Sequence, residues 1–156
     1  MDKTKILFVC QGNICRSPSA EAVFNGLIKK AGIGKQYEVD SAGTSAYHVG
    51  EQADQRMQSH AKRRNYNLTS ISRQFNPHTD FDYFDYIIGM DDYNMQSLKN
   101  TARNGNDLNK LYKMTDFSSD GRYDEVPDPY YGGADGFELV LDLLEDACEG
   151  LLRKIS

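Results

Sequence analysis

Ile6 to Cys10, "ILFVC", is an unbroken apolar run, and together with the short turn after it this run restricts the fold more than any other stretch of the chain. A strand that is apolar at every position has no face to offer water, so it belongs inside a parallel sheet covered on both sides. Only "QGNICR" separates this run from "SPSAEAVFNGLIKKAG". Ser17 and Pro18 there suit the N-cap and first turn of a helix, since proline has no N–H to lose at that point. Ala20, Val23, Phe24, Leu27, Ile28 and Ala31 then recur at helical spacing, and Gly32 is a plausible stop. The opening of the chain is thus a strand feeding directly into a helix.

The same alternation continues. Tyr37 to Gly43 reads as a second strand, and the segment from Ala53 to Asn65 as a thin amphipathic helix through Ala53, Met57 and Ala61. A third strand is expected over Phe84 to Met90, a helix over Asp91 to Arg103 and a weaker fourth strand over Lys110 to Met114. The last helix is the clearest, with Phe137, Val140, Leu141, Leu144, Cys148, Leu151 and Leu152 on one stripe. Strands alternating with helices imply right-handed parallel crossovers, hence an α/β fold in three layers, α/β/α. No repeat or break in composition divides the 156 residues, so residues 1–156 are expected to form one domain. The longest irregular stretch, Thr115 to Ala134, is of a length that compact domains keep for function or leave disordered.

The start of the chain has neither a leader cleavage site nor a run long enough to span a membrane, so a cytoplasmic location is expected. Three cysteines then read as reduced thiols rather than a disulfide framework. A net charge of −5 argues against general affinity for nucleic acid or acidic membranes, and "KRR" at Lys62 to Arg64 reads as a solvated helix face.

Ligands of parallel sheets bind beyond the carboxyl ends of the strands, where Cys10 sits. The helix that begins there offers unpartnered N–H groups and a dipole that favours an anion. Gly12 and Asn13 allow the positive φ angles that let successive amides curl around one centre, a cradle of phosphate size. A cysteine on its rim, close to those amides and to Arg16, is favoured as thiolate and can attack phosphorus. Arg16 can present a two-pronged fork to the phosphoryl oxygens. A leaving alkoxide or phenoxide needs a proton, and the best source is Asp128 in "EVPDPYYGG", held stiffly between Pro127 and Pro129. Tyr130 and Tyr131 would wall an aromatic leaving group. A cysteine six residues before an arginine is a weak motif alone; the preceding strand and the helix start after it strengthen it. Cys10 and Cys15 lack a second pair of ligands for zinc, and Cys148 reads as a small core hydrophobe.

"CQGNICRSPSAEAVF" together with "DPYYGG" closely resembles the low-molecular-weight protein tyrosine phosphatases, and "DSAGT" and "FDYIIGMDDYN" look like further landmarks. The resemblance implies a flavodoxin-like, four-stranded parallel sheet and a two-step mechanism without metal or cofactor. Cys10 becomes the nucleophile, Arg16 the clamp and Asp128 the acid, then base. Backbone amides of Gln11, Gly12, Asn13, Ile14, Cys15, Arg16 and Ser17 hold the phosphate. Asn13, Ser17 and Ser41 match a hydrogen-bond network around the loop, and Cys15 a redox partner able to form a reversible disulfide with oxidised Cys10. Tyr47 matches an aromatic position that, with Tyr130 and Tyr131, lines a slot deep enough to favour phosphotyrosine. A related branch acting on phosphoarginine carries Thr in place of Ile14. Many members also carry His before x-Ala-Arg-Gln, where this chain has Ser70 in "SISRQ". The implied partners are phosphotyrosine-containing proteins, with inorganic phosphate as product; the sequence does not fix the oligomeric state, and a monomer is the expectation. His48, His60 and His78 read as surface residues. Arsenate reductase, phosphocarrier and catalytically dead binding-module readings share parts of the motif, but the first needs more cysteines downstream, the second has no use for both Arg16 and Asp128, and the third requires Asp128 to lie far from Cys10.

Overall fold

In a computed structural model that describes residues 2–119, 121–129 and 133–156, the apolar run becomes β1 (Thr4–Cys10). It is followed by α1 (Arg16–Lys30), β2 (Tyr37–Gly43), α2 (Gln55–Lys62), α3 (Pro77–Tyr83) and β3 (Tyr86–Gly89). Then come α4 (Asp92–Thr101), α5 (Gly105–Leu108), β4 (Leu111–Lys113) and the long α6 (Ala134–Ile155). The strands form one parallel sheet in the order β2-β1-β3-β4. β1 is internal, and side-chain alternation splits its residues between two cores. Ile6, Phe8 and Cys10 face Phe24, Phe137, Val140 and Leu144 of α1 and α6, while Leu7 and Val9 face Phe81, Met95 and Leu98 of α3 and α4. The expected three-layer arrangement is present. No helix among the described residues is long and apolar enough to cross a membrane.

Local chemistry accounts for most boundaries. α1 closes with Gly32 at φ 74°, the Ile33 N–H returning to the Ile28 carbonyl (2.9 Å) and the Gly32 N–H to Lys29 (3.1 Å). That is the double bond of a left-handed helix stop. Its start differs from expectation: Cys15, not Ser17, occupies the N-cap, so Ser17 lies inside the first turn with its hydroxyl free for other bonds. α3 has too few apolar residues to show a period, yet it has a capped start, with Asn76 accepting from the His78 N–H and Pro77 at the first position. The irregular stretch begins with a 3₁₀ turn over Met114–Phe117. It is tied to the sheet where the Val126 N–H donates to the Met90 carbonyl (2.8 Å), beneath a fully buried Val126 side chain.

Two expectations about charge and histidine need correction. Lys62 and Arg63 are exposed, but Arg64 turns onto α6 and meets Glu138 (2.7 Å), Asp142 (2.9 Å) and Glu145 (2.6 Å). His60 is not a surface residue either, because its ring stacks on Phe137 and bonds Glu138. Both belong to a clamp between α2 and α6, formed because acidic residues of α6 recur one turn apart on the side facing α2.

The packing can be tested at two positions. A Cβ at Gly150 in α6 would lie 1.9 Å from the Phe117 carbonyl oxygen. Gly150→Ala, a change that ordinarily favours a helix, is expected instead to lower stability by about 3 kcal/mol, read as a fall in melting temperature. Glu21 of α1 accepts the Ser41 hydroxyl of β2 (2.7 Å), and burial pushes its carboxyl up to about 7 from 4.5, aided by Asp40 and opposed by the Ser41 bond and Arg73. The folded chain thus binds a proton that the unfolded chain gives up, so stability falls as pH rises from 4.5 through about 7. Glu21→Gln should remove this slope and be more stable than the parent above that window by about 3 kcal/mol, with the difference vanishing below it. Parallel denaturation curves at both ends of the range would contradict it.

Candidate active site

The turn between β1 and α1 is held by its carbonyl groups. The Thr44 N–H donates to the Cys10 carbonyl (2.9 Å), the Ser45 N–H to Gln11 (2.9 Å) and the Asp54 N–H to Ile14 (2.9 Å). The Ser72 hydroxyl donates to Gly12 (2.9 Å), and Ser19 bonds Cys15 through both its N–H (3.2 Å) and its hydroxyl (2.6 Å). In a planar trans peptide the C=O and the next residue's N–H point in opposite directions. Tying these carbonyls outward therefore turns the N–H groups of Gln11, Gly12, Asn13, Cys15 and Arg16 toward the inside of the loop. Asn13 takes the left-handed conformation that closes the curl, at φ 56°. Gly12 does not share it, contrary to expectation; it lacks a side chain because a Cβ there would lie 2.9 Å from His48 Cδ2. Gly43 allows a similar approach from β2, since a Cβ would lie 2.7 Å from the Gln11 carbonyl oxygen.

Cys10 Sγ faces this interior. It accepts the Asn13 N–H (3.3 Å) and lies 3.0 Å from Ser17 Oγ. Asn13 Nδ2 donates to Ser17 Oγ (2.8 Å), and Asn13 Oδ1 accepts the Arg73 N–H (3.0 Å). With an acceptor position of Ser17 filled by Asn13, the hydroxyl hydrogen is available to the sulfur, which is nearer than its other acceptor, the Ala42 carbonyl (3.4 Å). Ser41 does not take part. Its hydroxyl goes to Glu21, one helical turn beyond Ser17, because β2 presents Ser41 to that part of α1. Ser70 makes no side-chain bond to the loop; the Ser72 hydroxyl and the Arg73 backbone N–H hold it instead.

Arg16 is 3% exposed. Its Nη1 donates to Asp91 Oδ2 (2.6 Å) and to the Val126 carbonyl (3.0 Å), and its Nη2 lies 3.7 Å from Asp128 Oδ2. Burial alone would lower its proton affinity, yet Cys10, Asp91 and Asp128 together raise it, so the guanidinium is a fixed charge. Asp91 lies within "FDYIIGMDDYN", but the sequence reading gives it no role at the site. One of its oxygens caps α4 through the Asn94 N–H (2.7 Å) while the other holds Arg16. A capping aspartate directly after β3, the strand beside β1, is the one sign of it in the sequence. The Val126 bonds to Met90 and Arg16 bring Asp128 over the loop although it is remote in sequence.

Cys10, Gln11, Gly12, Ile14, Cys15, Arg16, Tyr47, His48 and Asp128 line one cleft of about 370 Å³. Tyr47 stands at its mouth, 83% exposed and edge-on to His48. His48 is thus a wall of the cleft rather than a surface residue, with Nδ1 against Glu51; His78 is exposed as expected. Tyr130 and Tyr131 lie outside the described residues. Cys15 is buried in the same turn as Cys10, where burial, Asp54 and Cys10 all push its thiol well up, so it stays protonated. Cys148 is fully buried on α6, as its stripe suggested. Among the described residues no three His, Cys, Asp or Glu side chains come together as a metal site would require.

Known proteins share both the sequence and the fold of this chain. Residues 5–156 match the family of low molecular weight phosphotyrosine protein phosphatases. A low molecular weight protein-tyrosine-phosphatase of Streptomyces coelicolor is 41% identical over 97% of this chain and 93% of its own length. A protein tyrosine phosphatase of Entamoeba histolytica superposes with a TM-score of 0.95 at 48% identity, covering 98% of this chain and 97% of that one. A Drosophila arginine phosphatase superposes at 0.90 with 30% identity, covering 97% of each chain. Matched along nearly its whole length in both sequence and fold, this chain belongs to the low molecular weight phosphotyrosine protein phosphatase family.

Proposed function

We propose that the chain hydrolyses phosphotyrosine in proteins through a phosphorylated Cys10. The observation that carries this reading is that Cys10 and Asp128 line the same cleft with Arg16 between them. The Cys10 thiolate attacks phosphorus in line with the ester; the S–P bond forms as the bond to the tyrosyl oxygen breaks. Protonated Asp128 gives its proton to that oxygen, so a neutral phenol leaves. Asp128, now a carboxylate, takes a proton from water, whose oxygen attacks phosphorus and releases inorganic phosphate and the thiolate.

The loop amides and Arg16 stabilise the charge on the three remaining phosphoryl oxygens in both steps. The bonds of the guanidinium to Asp91 and Val126 both fall on Nη1, which leaves its Nε–Nη2 edge, suited to a two-pronged bond, to meet phosphate. Tyr47 at the mouth supports an aromatic leaving group, and Ile14 in the cleft supports phosphotyrosine over phosphoarginine. Tyr130 and Tyr131 are assigned to the same wall on the resemblance alone. Cys15 is assigned a protective role: after peroxide oxidises Cys10 to a sulfenic acid, the Cys15 thiol condenses with it to a disulfide and water. Reduced thiols throughout fit a cytoplasmic enzyme acting on soluble phosphoproteins.

The test is phosphate release from matched phosphotyrosine, phosphoserine and phosphoarginine peptides with EDTA present. Selective turnover of phosphotyrosine is expected, abolished in Cys10→Ser and slowed about a hundredfold or more in Asp128→Ala, most severely for poor leaving groups. Preference for phosphoarginine, or full activity in either variant, would overturn the assignment concerned.

A further inference from the structure

Among the carbonyls of the loop that are tied outward, that of Gly12 is held differently. Cys10, Gln11 and Ile14 are bonded by backbone N–H groups, and Cys15 by the N–H as well as the hydroxyl of Ser19. Gly12 is held by one side-chain hydroxyl, that of Ser72, at 2.9 Å. Ser72 is 3% exposed, and its own backbone is locked to the segment just after His48: its N–H donates to Glu51 (2.8 Å) and its carbonyl accepts from Gly50 (2.9 Å). The hydroxyl is therefore presented from a fixed frame.

The peptide it holds is the one that matters to the sulfur. The Gly12 carbonyl and the Asn13 N–H belong to one peptide plane, and that N–H donates to Cys10 Sγ at 3.3 Å. Rotating this peptide would withdraw the N–H from the loop interior and turn a carbonyl toward the place where an anion sits. Flanking glycine lowers the barrier to such a rotation, since Gly12 has no Cβ to resist it. Asn13 is braced separately through its side chain, by Arg73 and Ser17, and this leaves the Gly12 end of the plane to Ser72.

We propose that Ser72 is a positioning residue whose hydroxyl fixes the Gly12–Asn13 peptide with its N–H aimed at the nucleophile and the bound phosphoryl group. It acts through the peptide and does not touch substrate. The proposal deepens the phosphatase reading and rests on it for the role in turnover, but its effect on anion binding can be measured without turnover.

The test compares the full-length parent with Ser72→Ala by calorimetric titration with inorganic phosphate, by melting temperature with and without saturating phosphate, and by kinetics on a phosphotyrosine peptide. Removing one such bond should weaken phosphate about fivefold, reduce the melting-temperature rise that phosphate produces and lower kcat. A purely structural serine would lower both melting temperatures equally and leave phosphate affinity unchanged, and that result overturns the proposal. A parent that binds phosphate without turning over peptide would refute the phosphatase reading while the phosphate comparison still decides the role of Ser72.

Discussion

The site depends on the outward tethering of the carbonyls in the β1–α1 turn. A peptide plane has two ends, and fixing one fixes the other. Thr44, Ser45 and Asp54 supply backbone donors to this turn, and Ser19 and Ser72 add hydroxyls. Their bonds shape the connection into a ring of inward amides, which in the proposed reaction would hold the phosphoryl group. This arrangement is electrostatic preorganisation in its simplest form, since dipoles already oriented need not reorganise as charge develops on the substrate. The close approach of β2 behind the loop, possible because Gly43 has no side chain, completes the frame.

The charges around the loop each serve two purposes. Arg16 lies between the sulfur and two carboxylates, and each neighbour has another role: Asp91 caps α4, Asp128 lines the cleft and the Val126 carbonyl belongs to the segment that carries Asp128. A buried guanidinium without such partners would be costly. Because those partners come from the end of β3 and from the long loop, the surroundings of Arg16 require the folded sheet. The Arg73 cluster repeats the pattern behind the loop, joining Asp40 of β2 and Asp80 of α3 while its N–H holds Asn13.

What could be read from the sequence was local. β1, the start of the turn, β2 and the stripe of α6 follow from periodicity, and Cys10, Arg16 and Asp128 from the chemistry of an anion cradle beside a rigid acid. Misplaced features depended on contacts between distant segments. Ser17 joins the loop network with Asn13 as the resemblance implies, but not the cap that local spacing suggests, which falls to Cys15. Ser41 turns to Glu21, and His48 reaches the cleft because the segment after β2 folds back over Gly12. Asp91, Ser72 and Arg73 meet the loop from segments distant in sequence, and local spacing does not reveal that meeting.

The central claim is that Cys10 carries the phosphoryl group between the two chemical steps. The most direct measurement is acid quench during steady turnover of a phosphotyrosine peptide, with mass spectrometry of the digested protein. One phosphoryl group on the peptide containing Cys10, accumulating further when Asp128 is replaced by Ala, is the predicted result. Phosphate released with no protein-bound phosphoryl group at any time, or a phosphoryl group found on another residue, would contradict it.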